Sequence, residues 1–151
     1  MASNISADLV WEVTRNNSAF LLKRKQSGGV QFSRDPLNLL NKHSRKYEGF
    51  VNDKAFSVQP AEKGGVQLLI KKNEKANKPA SAIQSSTYGA STSSRKTYKS
   101  IINSTVKRHY RADLRDEAVR RASAIKASQK PVKADKPVKP RGLKGKKAES
   151  A

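Results

Sequence analysis

The sequence predicts an α+β protein: a small antiparallel β body behind a short N-terminal helix, then two basic C-terminal helices and a disordered Lys/Pro tail. Three observations carry this. Between residues 19 and 70, short apolar runs flank the pairs Gly28-Gly29 and Gly64-Gly65, as hairpins require. From about Ser91 the apolar spacing lengthens to that of a helix. Beyond Pro131, Lys alternates with Pro and Gly, and almost nothing remains to bury.

Taken in order, residues 6–15 read as a helix with Ser6 as N-cap and Asp8 and Glu12 near the positive end of its dipole. Asn16, Asn17 and Ser18 interrupt it. Residues 19–24 and 30–34 form a first hairpin around residues 27–29, with Val30 and Phe32 facing inward and Gln31 and Ser33 outward. Asp35, Pro36 and Asn38 mark a turn, because Pro fixes φ and Asp accepts from the following backbone. Gly49, Phe50 and Val51 are expected to add a strand. Residues 55–59 and 66–70 form a second hairpin through residues 60–65. Residues 71–94 are rich in Lys, Ser, Thr, Asn and Ala without apolar pattern, and read as a loop or extended arm.

In the first C-terminal helix, Tyr98, Ile101, Ile102, Thr105, Val106 and His109 share a face, while Arg95, Lys96, Lys99, Lys107 and Arg108 fall largely elsewhere. The second starts near Asp113, which with Asp116 resembles a capping arrangement. Leu114, Ala118, Ala122 and Ile125 form its apolar stripe, widened by Val119. Pro131 ends it. The expected division is a β body over residues 1–90 with an arm from about 71, a helical region over 91–129, and a tail over 130–151.

Composition narrows the function classes. The chain has 151 residues, 32 Lys and Arg against 12 acids, and a net charge of +20. So basic a body repels itself, and makes sense mainly beside a polyanion. Residues 1–90 carry 14 basic and 7 acidic side chains, whereas residues 91–151 carry 18 and 5, so the charge concentrates C-terminally. Hydrophobic residues make up 35%, which implies a small core. The absence of Cys excludes disulfides, Cys-ligated zinc and a thiol nucleophile. His43 and His109 are too few for an all-His metal site. No apolar run approaches a membrane span. The N-terminus lacks a basic stretch followed by an apolar one, so no secretory signal is expected.

Arg111, Arg115, Arg120 and Arg121 suit phosphate recognition, since a planar guanidinium offers paired donors. Lys-Pro repeats such as Lys130-Pro131 keep a tail extended with point charges along it. A merely solubilising basic surface is the bland alternative, and the scarcity of acids argues against it. A membrane-surface helix needs bulky apolar residues opposite its cations. The second helix offers mostly alanines. No zinc-finger spacing, basic zipper or RNA-recognition-motif signature is present. A helix-turn-helix over residues 92–129 would bring Asp113, Asp116 and Glu117 to the bases, which counts against that reading. Trp11, Phe20, Phe32, Phe50 and Phe56 read as core, whereas Tyr47, Tyr88 and Tyr110 sit among polar residues and are candidate base-stacking platforms. The carboxylate pairs are better explained as caps and surface ion pairs than as catalytic groups. The Gly-Gly pairs lack a phosphate-loop Lys-Ser/Thr. Ser123, after Arg120 and Arg121, has a basophilic-kinase context but equally suits helix packing.

Three segments together resemble a known family. The first holds Leu9, Trp11, Arg15, Asn16, Ser18, Phe20, Leu21, Lys23 and Arg24. The second runs from Asp35, Pro36, Asn38 and Leu39 through Tyr47 and Gly49 to Val66, Leu68, Ile70 and Lys71. The third and most specific holds Tyr110, Arg111, Asp113, Leu114 and Arg115, then Arg120, Arg121, Ile125, Ser128 and Pro131. In this order they are similar to the eukaryote-specific large-subunit ribosomal protein family numbered twenty-eight. A related branch of nucleolar assembly factors resembles it at the N-terminus but carries metal-binding cysteines and acidic C-terminal regions, which this chain lacks.

The resemblance implies a structural constituent of the large subunit of the cytosolic ribosome, with nucleolar passage during assembly. It implies ribosomal RNA and neighbouring large-subunit proteins as partners, and no membrane, small-molecule substrate, cofactor, metal or catalysis. A nucleolar assembly factor and a chromatin-binding protein are the competing readings. From charge and context, the expected RNA contacts are Arg15, Lys23, Arg24, Arg45, Lys71 and Lys72 from the body. Arg95, Lys96, Arg108, Arg111, Arg115, Arg120, Arg121, Lys126, Lys130 and Lys133 are expected to supply the rest.

Overall fold

The computed structural model describes residues 5–75 and 78–136. The first helix, α1 (Ala7–Thr14), forms where expected, and the Ser6 side chain accepts from the Leu9 amide at 3.2 Å. β1 (Leu21–Lys23) and β2 (Gln31–Ser33) pair antiparallel, with Leu22 opposite Phe32. Their connection contains a four-residue helical turn, α2 (Gln26–Gly29), rather than a tight hairpin loop.

β3 (Phe56–Pro60), β4 (Val66–Lys71) and β5 (Ile83–Tyr88) form a second antiparallel sheet with β4 in the centre. The register sets Val58 opposite Leu68 and Leu68 opposite Ser86. The alternation of strand side chains therefore gathers Phe56, Val58, Val66 and Leu68 on one face. α3 (Ser94–Ser104) and α4 (Arg115–Ser128) cover that face. Leu39, Ile101, Leu114, Ala118 and Ala122 complete the core. Ala118 and Ala122 are both buried, and their small side chains let α4 lie close against β3. The core is thus shared between strands and helices. At the β3–β4 turn, Gly65 has φ +92°, and a Cβ there would stand 2.2 Å from the Tyr88 carbonyl oxygen. The Gln129 side chain clasps this turn, accepting from the Gly65 amide and donating to its carbonyl, each at 2.8 Å. The end of α4 is thereby fixed to the hairpin.

A second, polar interior joins residues 33–52 to the N-terminal elements. Asp35 accepts from the amides of Leu37, Gly49 and Phe50 at 2.9, 2.7 and 2.9 Å. Glu48 is buried, and Ser33 Oγ donates to its Oε2 at 2.9 Å. His43 Nδ1 lies 3.2 Å from Glu48 Oε1, and its Nε2 lies 2.6 Å from the Arg15 carbonyl oxygen. The imidazole thus bridges the Glu48 carboxyl and the Arg15 backbone. Burial pushes the Glu48 carboxyl above its ordinary value, outweighing the hydrogen bonds from Ser33 and His43. The Trp11 ring packs on His43 with centroids 5.0 Å apart, which docks α1 on this cluster.

Several sequence expectations need correction. Val30 and Phe32 are 38% and 40% exposed, whereas Ser33 is buried. Gln31 is exposed as expected, but Ser33 turns inward because the buried Glu48 carboxyl, not an apolar layer, receives it. Phe32 is accordingly not core, while Phe56 is fully buried and Trp11, Phe20 and Phe50 are half-buried. Gly49, Phe50 and Val51 form a turn, because Asp35 captures the amides a strand would need. The stretch expected to be loop contains β5, an edge strand held by backbone pairing to β4 and therefore needing little apolar pattern. Asp113 does not cap α4: Leu114 occupies that position without a side-chain cap bond, and the Asp113 carboxylate is engaged by Arg111. His109 is exposed, in a left-handed turn (φ 54°) between the helices. The Leu114, Ala118, Ala122 and Ile125 stripe does face the core. Residues 131–136 lack regular structure, and the remainder of the expected tail lies outside the described residues.

Candidate nucleic-acid interface

The basic side chains divide by where their donors point. Arg121 leaves α4 toward β3, an outer strand of its sheet. Its Nε donates to the Val58 carbonyl at 2.7 Å, and Nη1 reaches the Leu39 carbonyl and Asn41 Oδ1, each at 2.6 Å. Arg121 thus satisfies backbone acceptors that no strand covers, and burial draws its guanidinium below the ordinary value. Arg111 donates to the Lys46 and Lys54 carbonyls at 2.8 and 3.0 Å. It also holds Asp113 through two 2.9 Å contacts, which depress that carboxyl. Lys71 Nζ donates to the Gly49 and Asn52 carbonyls at 3.1 and 2.8 Å, and burial lowers its ammonium. Lys126 donates to the Thr92 carbonyl. Arg45 bridges Asp8 and Asn52. These five cations hold segments of the fold together.

The remaining expected contacts lie on the outside. Arg95 and Lys96 project from the solvent face of α3, and Arg115 and Arg120 are exposed on α4. None of these four side chains has a hydrogen bond or ion pair among the described residues. Arg24, Arg108, Lys130 and Lys133 are likewise exposed, and Lys72 is half-buried. Arg15 pairs with Glu12 at 3.0 Å, and Lys23 Nζ donates to the Asn16 carbonyl at 2.7 Å. Both remain at the surface. Sequence reasoning left out Lys99 and Lys107, which are also exposed. Lys99 stands one helical turn from Arg95 on the same face, and that spacing was the available signal. No Asp or Glu occurs between Glu74 and Asp113, so the ridge along α3 and the turn after it is purely cationic.

All three tyrosines proposed for base stacking pack against the core. Tyr110 Oη accepts from the Ala55 amide at 3.0 Å and donates to the Lys71 carbonyl at 2.6 Å. Its ring lies 6.4 Å from Phe56, and burial raises its hydroxyl pKa. Tyr47 Oη donates to Glu117 Oε1 at 3.1 Å, beside the 3.6 Å Lys46–Glu117 ion pair. Two of the acids around the start of α4 are therefore engaged, Asp113 by Arg111 and Glu117 by Lys46 and Tyr47, while Asp116 stays exposed. Tyr88 is half-buried on β5.

The model of the Ribosomal L28e protein family matches residues 9–128, a span reaching from α1 to the last turn of α4. The chain belongs to this family. It is 46% identical over 131 residues to the large ribosomal subunit protein eL28 of Schizosaccharomyces pombe, covering 86% of this chain and 97% of that protein. The Dictyostelium discoideum protein of the same name is 33% identical over 129 residues, covering 85% and 92%. The Caenorhabditis elegans eL28 is 48% identical over 84 residues, covering 55% and 63%. Both Arg120 and Arg121 fall within the segment that the L28e family matches, so the inward and outward cations belong to one family module. Among the described residues of this L28e chain, no group of His, Cys, Asp and Glu is arranged to hold a metal. None of its described helices is long and apolar enough to cross a membrane.

Proposed function

We infer that this chain is a structural constituent of the large subunit of the cytosolic ribosome and holds ribosomal RNA through its outward cations. Family membership implies a structural, non-enzymatic role, and translation is the process it supports. The observation that carries the RNA reading is the acid-free cationic ridge of α3, where Arg95, Lys96 and Lys99 point to solvent beside exposed Arg115 and Arg120 of α4. Such a surface binds phosphates by releasing condensed counterions, and it reads RNA shape rather than base sequence. Arg121, Arg111 and Lys71 serve this surface indirectly, by fixing α4 and the 33–52 segment to the sheet. Lys130 and Lys133 extend the cationic surface where the chain leaves the β3–β4 hairpin. Neighbouring ribosomal proteins complete the environment, and the protein passes through the nucleolus during assembly.

Fractionation of cell extracts tests this. The tagged protein is expected to comigrate with large subunits and with translating ribosomes at moderate salt. Confinement to nucleolar precursors would instead identify an assembly factor, and release from nuclei by DNase a chromatin protein.

A further inference from the structure

The chain's exposed apolar side chains are unevenly placed. Of the large ones left open, Ile5, Leu9, Val13, Val30 and Phe32 belong to the N-terminal end, and only Ile83 and Val132 lie elsewhere among the described residues. Leu9 and Val13 stand one turn apart on the outward side of α1, 57% and 70% exposed. Asp8 and Glu12 border them, and no Lys or Arg lies within the helix. Arg45 and Arg15 pair with these acids, yet the Asp8 and Glu12 side chains remain 87% and 60% accessible. In a chain of net charge +20, this is a helix whose own charge is negative. β2 lies at the same end: Phe32 bridges to Lys42, next to the His43 on which Trp11 packs.

Such a face suits neither RNA nor a second copy of itself. Carboxylates beside the contact repel phosphates, and a self-complementary contact would gather the Asp8 and Glu12 carboxylates of both copies around one small apolar patch. Aliphatic anchors flanked by acids complement a Lys/Arg-rich segment that carries aliphatic residues of its own. We propose that the Leu9–Val13 face of α1 docks a basic segment of a neighbouring protein in the large subunit, an inference that rests on the ribosomal reading above. α1 is only about 12 Å long, so the contact adds orientation to a protein that RNA already holds.

The test places a photocrosslinking p-benzoylphenylalanine at Val13, or separately at Arg120, in cells, followed by purification of large subunits. The Val13 position is expected to yield one protein adduct, mapped by mass spectrometry to a Lys/Arg-rich peptide with aliphatic residues. The Arg120 position is expected to yield RNA adducts. An adduct from Val13 to RNA or to a second copy of this chain overturns the docking proposal. So does the absence of a Val13 adduct when Arg120 gives its RNA adduct. Failure of the Arg120 position to reach RNA within purified subunits overturns the RNA reading instead. Independently, Leu9→Gln with Val13→Gln, which adds no charge, is expected to preserve helicity, unfolding midpoint and RNA affinity in the purified protein. Its loss from salt-washed subunits should be about tenfold greater than wild type, the effect of about 1.4 kcal/mol. Wild-type retention would contradict the docking.

Discussion

The inner and outer faces of α4 put adjacent arginines to different uses. Arg121 faces β3, where its donors meet two backbone carbonyls and Asn41. Arg120 faces solvent and engages nothing among the described residues. One residue of sequence turns a helical side chain by about 100°, enough to move it from the sheet to the surface. The contrast extends over the molecule. Arg111, Lys71 and Lys126 join Arg121 in tying segments together, whereas Arg95, Lys96, Lys99 and Arg115 join Arg120 outside. Net charge therefore overstates the number of cations free to meet a polyanion, and the fold selects which ones remain.

The largest effect should come from the inner set. Arg121→Met keeps the aliphatic stem but leaves the Val58 and Leu39 carbonyls without their donor, and should cost about 2–5 kcal/mol in urea unfolding. Arg120→Met should leave stability within about 0.5 kcal/mol of wild type. Equal losses for the two variants would abolish the distinction between the faces. Tyr110→Phe retains the ring against Phe56 but removes the hydroxyl joining Ala55 to Lys71, and should cost about 1–3 kcal/mol by the same measurement.

Two carboxylates, buried Glu48 and exposed Asp113, offer a comparison of opposite sign. Burial raises Glu48, so the folded chain holds its proton to higher pH than the unfolded chain does. Stability from this group should therefore fall as pH rises from the ordinary carboxylate range to the raised value, and Glu48→Gln should remove that fall. The Arg111 hydrogen bonds depress Asp113, whose contribution is present above the ordinary range and disappears as pH falls through the depressed value. Unfolding midpoints measured across acidic pH for Asp113→Asn and Glu48→Gln should shift in opposite directions.

Much of this arrangement was legible before the structure. Ser6 as a cap, the β3–β4 hairpin and the Leu114, Ala118, Ala122 and Ile125 stripe follow from local rules, since each depends on neighbours close in sequence. The polar interior was not legible. Ser33, Asp35, His43 and Glu48 meet across turns, and alternation alone assigned Phe32 to the inside of a strand whose inner side faces a carboxylate. β5 escaped because an edge strand draws its stability from backbone pairing, leaving Gln84, Ser85 and Thr87 without an apolar signature. For the candidate site, charge pointed to the chemistry but did not separate Arg120 from Arg121. That separation depends on where β3 leaves its carbonyls open.

The smallest effect on stability and the largest on binding should come from the outer set. Replacing Arg95, Lys96, Arg115 and Arg120 together with Gln should leave the unfolding midpoint nearly unchanged. The most direct measurement is the affinity of the purified protein for large-subunit ribosomal RNA across a salt series. For the wild type, log affinity should fall steeply with log salt concentration. The outer-face variant should show a slope shallower by about one unit for each phosphate it no longer neutralises. A wild-type affinity indifferent to salt, or an outer-face variant with the wild-type slope, would contradict the account.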